Sequence, residues 1–118
     1  MVVVSSYRSY NRQAGIKARG CPDNLCAKAW HSEHQSGLSI DLWSASTQML
    51  WNNSARISRY YWWLEENAHL YGYHNWYRNG VDIDGYDIEP WHWRYLTVEF
   101  ATYLRDKDIT FAEHYYKN

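Results

Sequence analysis

The sequence has no surplus of charge: twelve Lys and Arg stand against thirteen Asp and Glu, a formal charge of -1 at pH 7. That balance leaves no electrostatic footprint for nucleic acid or an anionic membrane, so neither is expected as a partner. No stretch approaches the roughly 20 apolar residues of a membrane span. Met1-Val2-Val3-Val4-Ser5 also lacks the basic region and long apolar core of a secretory leader. The chain reads either as cytoplasmic or as the mature part of a longer exported protein. Cysteine is nearly absent. Cys21 and Cys26 alone cannot make a four-thiolate zinc site. They enclose Pro22-Asp23-Asn24-Leu25, a loop that a small disulfide would stabilise by about 2 kcal/mol in an oxidising compartment. Internal repeats, low-complexity tracts and linkers are missing too, and 118 residues make one domain that buries roughly two-thirds of its unfolded surface.

Phenylalanine is scarce, with two residues against eight Trp and twelve Tyr. Rings with a polar edge can fill a core and still reach a hydrogen-bond partner, and most are expected there. The same rings stack on sugars, so an aromatic-lined cleft would suit a glycan-linked substrate.

Val2-Val3-Val4 reads as a short buried strand that hands over to polar, turn-like residues around Arg8. Asn11 to Arg19 reads as a helix closed by Gly20. Leu38 to Trp43 alternates as a strand carrying Asp41. From Ser54 to Tyr71, Ile57, Tyr60, Tyr61, Leu64, Ala68 and Tyr71 recur at the helical period, with Gly72 as the stop. Tyr73 to Tyr77 reads as a strand, Asn79-Gly80 as a turn, and Asp87 to Leu96 as another strand. A helix follows near Thr97, and Thr110-Phe111-Ala112-Glu113 has capping-box spacing for a terminal helix. The expected class is α+β, with a central antiparallel sheet flanked by helices.

Within this frame, Ser32 to Asp41 and Glu89 to Tyr95 supply two histidines, one aspartate and a spare glutamate. A catalytic zinc takes three imidazole or carboxylate ligands and keeps a fourth position for water. His34, Asp41 and His92 meet that count. His34 and Asp41 lie seven apart, so a shared strand face needs an irregularity, which Gly37 can supply. Pro90 cannot donate to a sheet ladder, which puts Glu89 just outside the strand. His31, His69, His74 and His114 read as ordinary surface or core histidines, and Arg94 as a support for its neighbour His92. Asn52-Asn53-Ser54 matches a glycosylation sequon, although Ser54 also serves as a helix N-cap.

Ser32-x-His34-x-x-Gly37-x-x-x-Asp41 followed by Glu89-Pro90-Trp91-His92-x-Arg94-Tyr95 resembles the VanY-type D-alanyl-D-alanine carboxypeptidases. These belong to the zinc peptidases that include lysostaphin and the hedgehog fold. The resemblance extends to Ser6-Tyr7-Arg8-Ser9-Tyr10-x-x-Gln13 and to Trp63-Leu64-x-x-Asn67-Ala68-x-x-Tyr71-Gly72-Tyr73, in the family's order over nearly the whole chain.

It implies one zinc ion on His34, Asp41 and His92. Glu89 would be the general base that takes a proton from the attacking water and returns it to the departing amine. Arg8 would stabilise the oxyanion, and Ser32 and Gln13 would hold the substrate's terminal carboxylate. The substrate implied is a peptidoglycan stem peptide ending in D-Ala-D-Ala, cut outside the cytoplasm by a monomer. Ser39 stands where the family often has Ala, Ser5-Ser6 replaces a common Ser-Gly, and the chain begins where relatives carry a helical segment upstream. Kept beside this reading are an L,D-carboxypeptidase or phage-type endopeptidase of the same fold, a non-catalytic peptidoglycan-binding module, and an aromatic sugar-binding domain. Arg8 as a plain salt-bridge residue is the corresponding alternative at that position.

Overall fold

A computed structural model describes residues 1–43 and 59–117. The start of the helix expected from Ser54 and the Asn52 sequon lie outside the described residues. Four strands form one antiparallel sheet: β1 (Val2–Ser5), β2 (Ser39–Trp43), β3 (Tyr73–Asn75) and β4 (His92–Tyr95), in the order β1-β2-β4-β3. The helices are α1 (Tyr10–Ala18), α2 (Arg59–Asn67), α3 (Val81–Asp84), α4 (Val98–Lys107) and α5 (Phe111–Lys117).

The two faces of β2 and β4 have opposite characters because side chains alternate along a strand. Ile40 pairs with Trp93 and turns toward the core, where Tyr61, Leu64 and Ala68 of the α2 segment pack on it. Asp41 pairs with His92 and faces the other way. The recurrence at three and four in α2 therefore picks out real core positions, but it ends early. Ala68 to Tyr71 tightens into a 3-10 turn, and Tyr71 is exposed. Gly72 closes the turn at φ 86°, where a Cβ would stand 2.5 Å from the Tyr95 ring, so a side chain is barred by both backbone and space.

Other expectations change too, and the strand expected from Tyr73 to Tyr77 stops at Asn75. Val2, Val3 and Val4 do form a strand, but at 44%, 58% and 47% exposure they are not buried. β1 is the sheet's edge, and its register breaks between Val3 and Ser5. The aromatic residues are less central than expected: among the described residues the buried rings are Tyr61, Tyr77 and Trp93, while Trp30, Trp62, Trp63, Tyr71 and Tyr116 stand exposed. The strand expected from Asp87 to Leu96 shrinks to His92–Tyr95, because Asn75 Nδ2 donates to both Glu89 O and His92 O at 2.9 Å and bends the chain there. The Asn79-Gly80 turn holds and opens the short α3, whose Asp84 carboxylate accepts the Arg78 and Asn79 N–H groups. The capping box forms as spaced, with Glu113 Oε2 on Thr110 N–H at 2.9 Å and Thr110 Oγ1 on Glu113 N–H at 3.3 Å.

His74 on β3 is buried, with Nε2 3.0 Å from Ile109 O. Burial, reinforced by Arg78, drags its pKa down to about 4. An unfolded histidine binds its proton near pH 6.5, so between that value and about 4 the unfolded chain holds the extra proton. His74 thus contributes stability that is full above pH 6.5 and lost as pH falls toward 4. The expected loss is on the order of 3 kcal/mol. Urea unfolding at pH 7 and pH 4.5 should show a smaller difference for His74→Gln than for wild type; equal differences would remove His74 as the cause.

Candidate metal centre and active-site cleft

Asp41 and His92 meet because they are direct partners across β2 and β4. Cross-strand partners carry their Cβ atoms about 5 Å apart, so two short side chains can converge on one point above the sheet. His34 arrives from a separate element, a 3-10 turn at Glu33–Ser36. Ser32 caps that turn by accepting the His34 N–H, and Gly37 ends it at φ 75°, the irregularity that brings His34 over Asp41. Arg94 braces the turn from below through Glu33 and Ser36.

The three side chains are buried, and their ligand atoms lie within 4.8 Å of one another. Asp41 Oδ1 stands 3.2 Å from His34 Nε2 and 3.2 Å from His92 Nδ1. Tetrahedral zinc with bonds near 2.1 Å separates its ligand atoms by about 3.4 Å, so these spacings fit such a site. His34 Nδ1 lies 2.7 Å from Ser6 O and donates to it, which leaves the Nε2 lone pair for a metal. His92 turns Nδ1 toward Asp41 and Glu89, so Nδ1 is the ring nitrogen offered to a metal, while Nε2 across the ring is buried without a partner among the described residues.

Charge supports the same assignment. Burial alone would raise the Asp41 carboxyl, but its hydrogen bonds to His34 and His92 hold it down to about 2, so it is anionic. Glu89 behaves oppositely. Burial first, then the Asp41 charge, push it up to about 8, with Arg8 opposing. Its Oε2 lies 3.9 Å from His92 Nδ1, beside the trio but outside it. Two carboxylates with pKa values this far apart are the usual mark of distinct roles.

Arg8 follows β1 and reaches the same cleft. Its guanidinium donates from Nη1 to Gln13 Oε1 at 2.9 Å, and Nη2 lies 3.6 Å from Asp41 Oδ2. Ser32 and Gln13 also line the cleft. Among the described residues the Ser32 hydroxyl accepts the His34 N–H and donates to no partner. Gln13 is buried at 1% exposure with its amide spanning Arg8 and the Ala27 carbonyl, so its visible contacts are to protein. The seven candidates named from sequence therefore converge on one cleft, and His31 stays outside it, exposed.

Two residues escaped the sequence reading. Asn75 is buried and clamps the turn between Glu89 and His92; a polar amide inside a strand of aromatics was its available signal. Tyr77 packs its ring 4.9 Å from the His92 ring and lines the cleft. Cys21 and Cys26 form a disulfide with Cα atoms 5.7 Å apart, and Leu25, Cys26 and Ala27 make part of the cleft wall. No helix among the described residues is long and apolar enough to cross a membrane.

Comparison with known proteins agrees with this geometry. "Putative carboxypeptidase YodJ" of Bacillus subtilis (strain 168) is 34% identical over 125 residues, covering 99% of this chain and 46% of the relative. The chain thus spans about half the length of that curated relative. Among solved structures, the LdcB LD-carboxypeptidase superposes with a TM-score of 0.81 at 34% identity, over 98% of this chain and 57% of the other. The vancomycin-resistance D,D-pentapeptidase VanY, a mutant in complex with Zn(II), superposes with a TM-score of 0.72 at 28% identity, over 97% of this chain and 70% of the other. The family model VanY, D-alanyl-D-alanine carboxypeptidase, matches residues 1–98, and with these likenesses the chain belongs to the VanY family.

Proposed function

We propose that this chain is a zinc-dependent D,D-carboxypeptidase domain that removes the terminal D-Ala from peptidoglycan stem peptides outside the cytoplasm. The observation that carries this reading is the buried His34–Asp41–His92 trio with Glu89 beside it and Arg8 across from it. A purely structural metal site has no use for an unligated buried carboxylate next to its ligands. The Zn(II) complex of the related VanY supports zinc as the ion. When bound, zinc supplies the acidity that makes water a nucleophile near neutral pH and polarises the scissile carbonyl.

The protein's own groups do the rest. Glu89 accepts a proton from the attacking water and hands it to the departing D-Ala amine, a task suited to a carboxyl whose pKa lies above the usual carboxylate range. The positive charge of a bound metal would draw that pKa back toward neutrality. Arg8, held by Gln13 and Ser5, faces the negative charge that develops on the carbonyl oxygen. Ser32, on the cleft wall, would donate its hydroxyl to the substrate's terminal carboxylate.

The likeness to LdcB favours a second reading, cleavage of an L,D bond in a shorter stem peptide. Both are decided in one experiment. Zinc-loaded protein is incubated with a pentapeptide ending in D-Ala-D-Ala and, separately, with a tetrapeptide ending in a single D-Ala, and the products are weighed by mass spectrometry. Loss of one alanine from the pentapeptide alone is the expected result. Loss from the tetrapeptide alone transfers the assignment to L,D-cleavage, and two intact peptides refute carboxypeptidase action.

A further inference from the structure

The loop closed by Cys21 and Cys26 touches both walls of the cleft. On one side the Ala27 carbonyl, directly after the loop, accepts Gln13 Nε2 at 2.6 Å, and Gln13 Oε1 accepts Arg8 Nη1 at 2.9 Å. On the other side Asn24 Nδ2 donates to Asp87 Oδ2 at 2.6 Å, and the Asn24 carbonyl accepts the Asp87 N–H at 2.8 Å, two residues before Glu89. The start of the loop is pinned to α1 by Lys17 Nζ on Cys21 O at 2.8 Å. Inside it, the Leu25 and Cys26 N–H groups share the Pro22 carbonyl, a turn that aims Asn24 at Asp87.

We propose that this disulfide-closed loop is a positioning strap for the active site, setting Arg8 through Gln13 and the Glu89 segment through Asn24. Its catalytic consequence rests on the peptidase reading above; its structural consequence does not. Asn24 and Asp87 lie 63 residues apart in sequence, so their pairing depends on the loop already having the right shape. A covalent closure removes most alternative shapes in advance, and the bonds to both walls then form without ordering a flexible segment. An open loop would let Arg8 and Glu89 drift, and displacements near 1 Å at reacting groups commonly cost large factors in rate.

The test uses the full chain loaded with zinc. Thiol titration of unfolded wild type should find no free thiol until a reductant is added; two free thiols from the start overturn the proposal. Cys21→Ser/Cys26→Ser is then compared with wild type by hydrogen exchange and mass spectrometry. Exchange should rise about tenfold in residues 6–13 and 86–91, with α4 and zinc content unchanged. Asn24→Ala, with the disulfide intact, should loosen 86–91 but not 6–13. On a stem peptide the double variant should lose about tenfold in kcat at nearly constant KM, which separates misplaced catalytic groups from lost binding. Unchanged exchange in both segments, or an equal rise that includes α4, overturns the strap. If wild type cuts no stem peptide, the peptidase reading falls and the exchange pattern alone still decides the strap.

Discussion

Glu89→Ala is expected to lower kcat on a D-Ala-D-Ala stem peptide by about 10^3-fold while each chain keeps one zinc ion. Glu89 is 7% exposed and lies 3.9 Å from His92 Nδ1, beside the donor trio and outside it. Its substitution removes a proton acceptor and leaves the His34–Asp41–His92 donor set intact. It also deletes a buried carboxyl whose ionisation is opposed by burial and by Asp41, so the variant should melt no lower than wild type. Glu89→Gln, which keeps the shape, should be equally impaired, since an amide cannot take the proton. Activity within tenfold of wild type in either variant would show that another group moves the proton. Loss of zinc from Glu89→Ala would instead make Glu89 a ligand.

Asp41→Asn is expected to weaken zinc binding by at least about 100-fold and to abolish turnover at zinc concentrations that saturate wild type. Asp41 Oδ1 sits 3.2 Å from both histidine nitrogens and is the only anion of the trio. An amide of the same shape brings no charge to compensate a divalent cation. Because metal that binds only the folded chain stabilises it, wild type should gain about 4 kcal/mol when free zinc is 1,000 times its dissociation constant, and a chelator should remove that gain. At the same free zinc, Asp41→Asn with about 100-fold weaker binding should keep only about 1.4 kcal/mol of that gain, so a chelator should lower its melting temperature by about a third as much as wild type's. His92→Ala should lose zinc as well, with a further stability loss from the cavity it leaves on the central strand β4. A chelator-insensitive wild type, or Asp41→Asn that still holds stoichiometric zinc, would remove the trio as the metal site.

Local chemistry was legible where the signal is short-ranged. The α1, α2, α4 and α5 segments and the capping box at Thr110 follow from period, caps and turn residues, which act within a few positions. Pro90 correctly put Glu89 outside the ladder, because a missing N–H is a property of the residue itself. The exposure of Val2 to Val4 was not legible: edge or centre is decided by strand order, and a β-branched run looks the same in both places. Asn75 was equally hidden, since its value lies in two carbonyls 14 and 17 residues away.

The sequence by itself determined which side chains can hold a cation, move a proton or face an anion: His34, Asp41 and His92 suit the first task, Glu89 the second and Arg8 the third wherever they are placed. Only the tertiary structure decided that they stand together. Asp41 meets His92 because β2 and β4 pair in one register, and a slip of a single residue would turn one of them into the core. His34 joins them because Gly37 adopts a left-handed backbone at the end of its turn. Burial on the sheet's second face then drives the Glu89 carboxyl up to about 8, while the hydrogen bonds from His34 and His92 override burial at Asp41 and hold it at about 2, a separation that follows from surroundings and that no residue carries on its own.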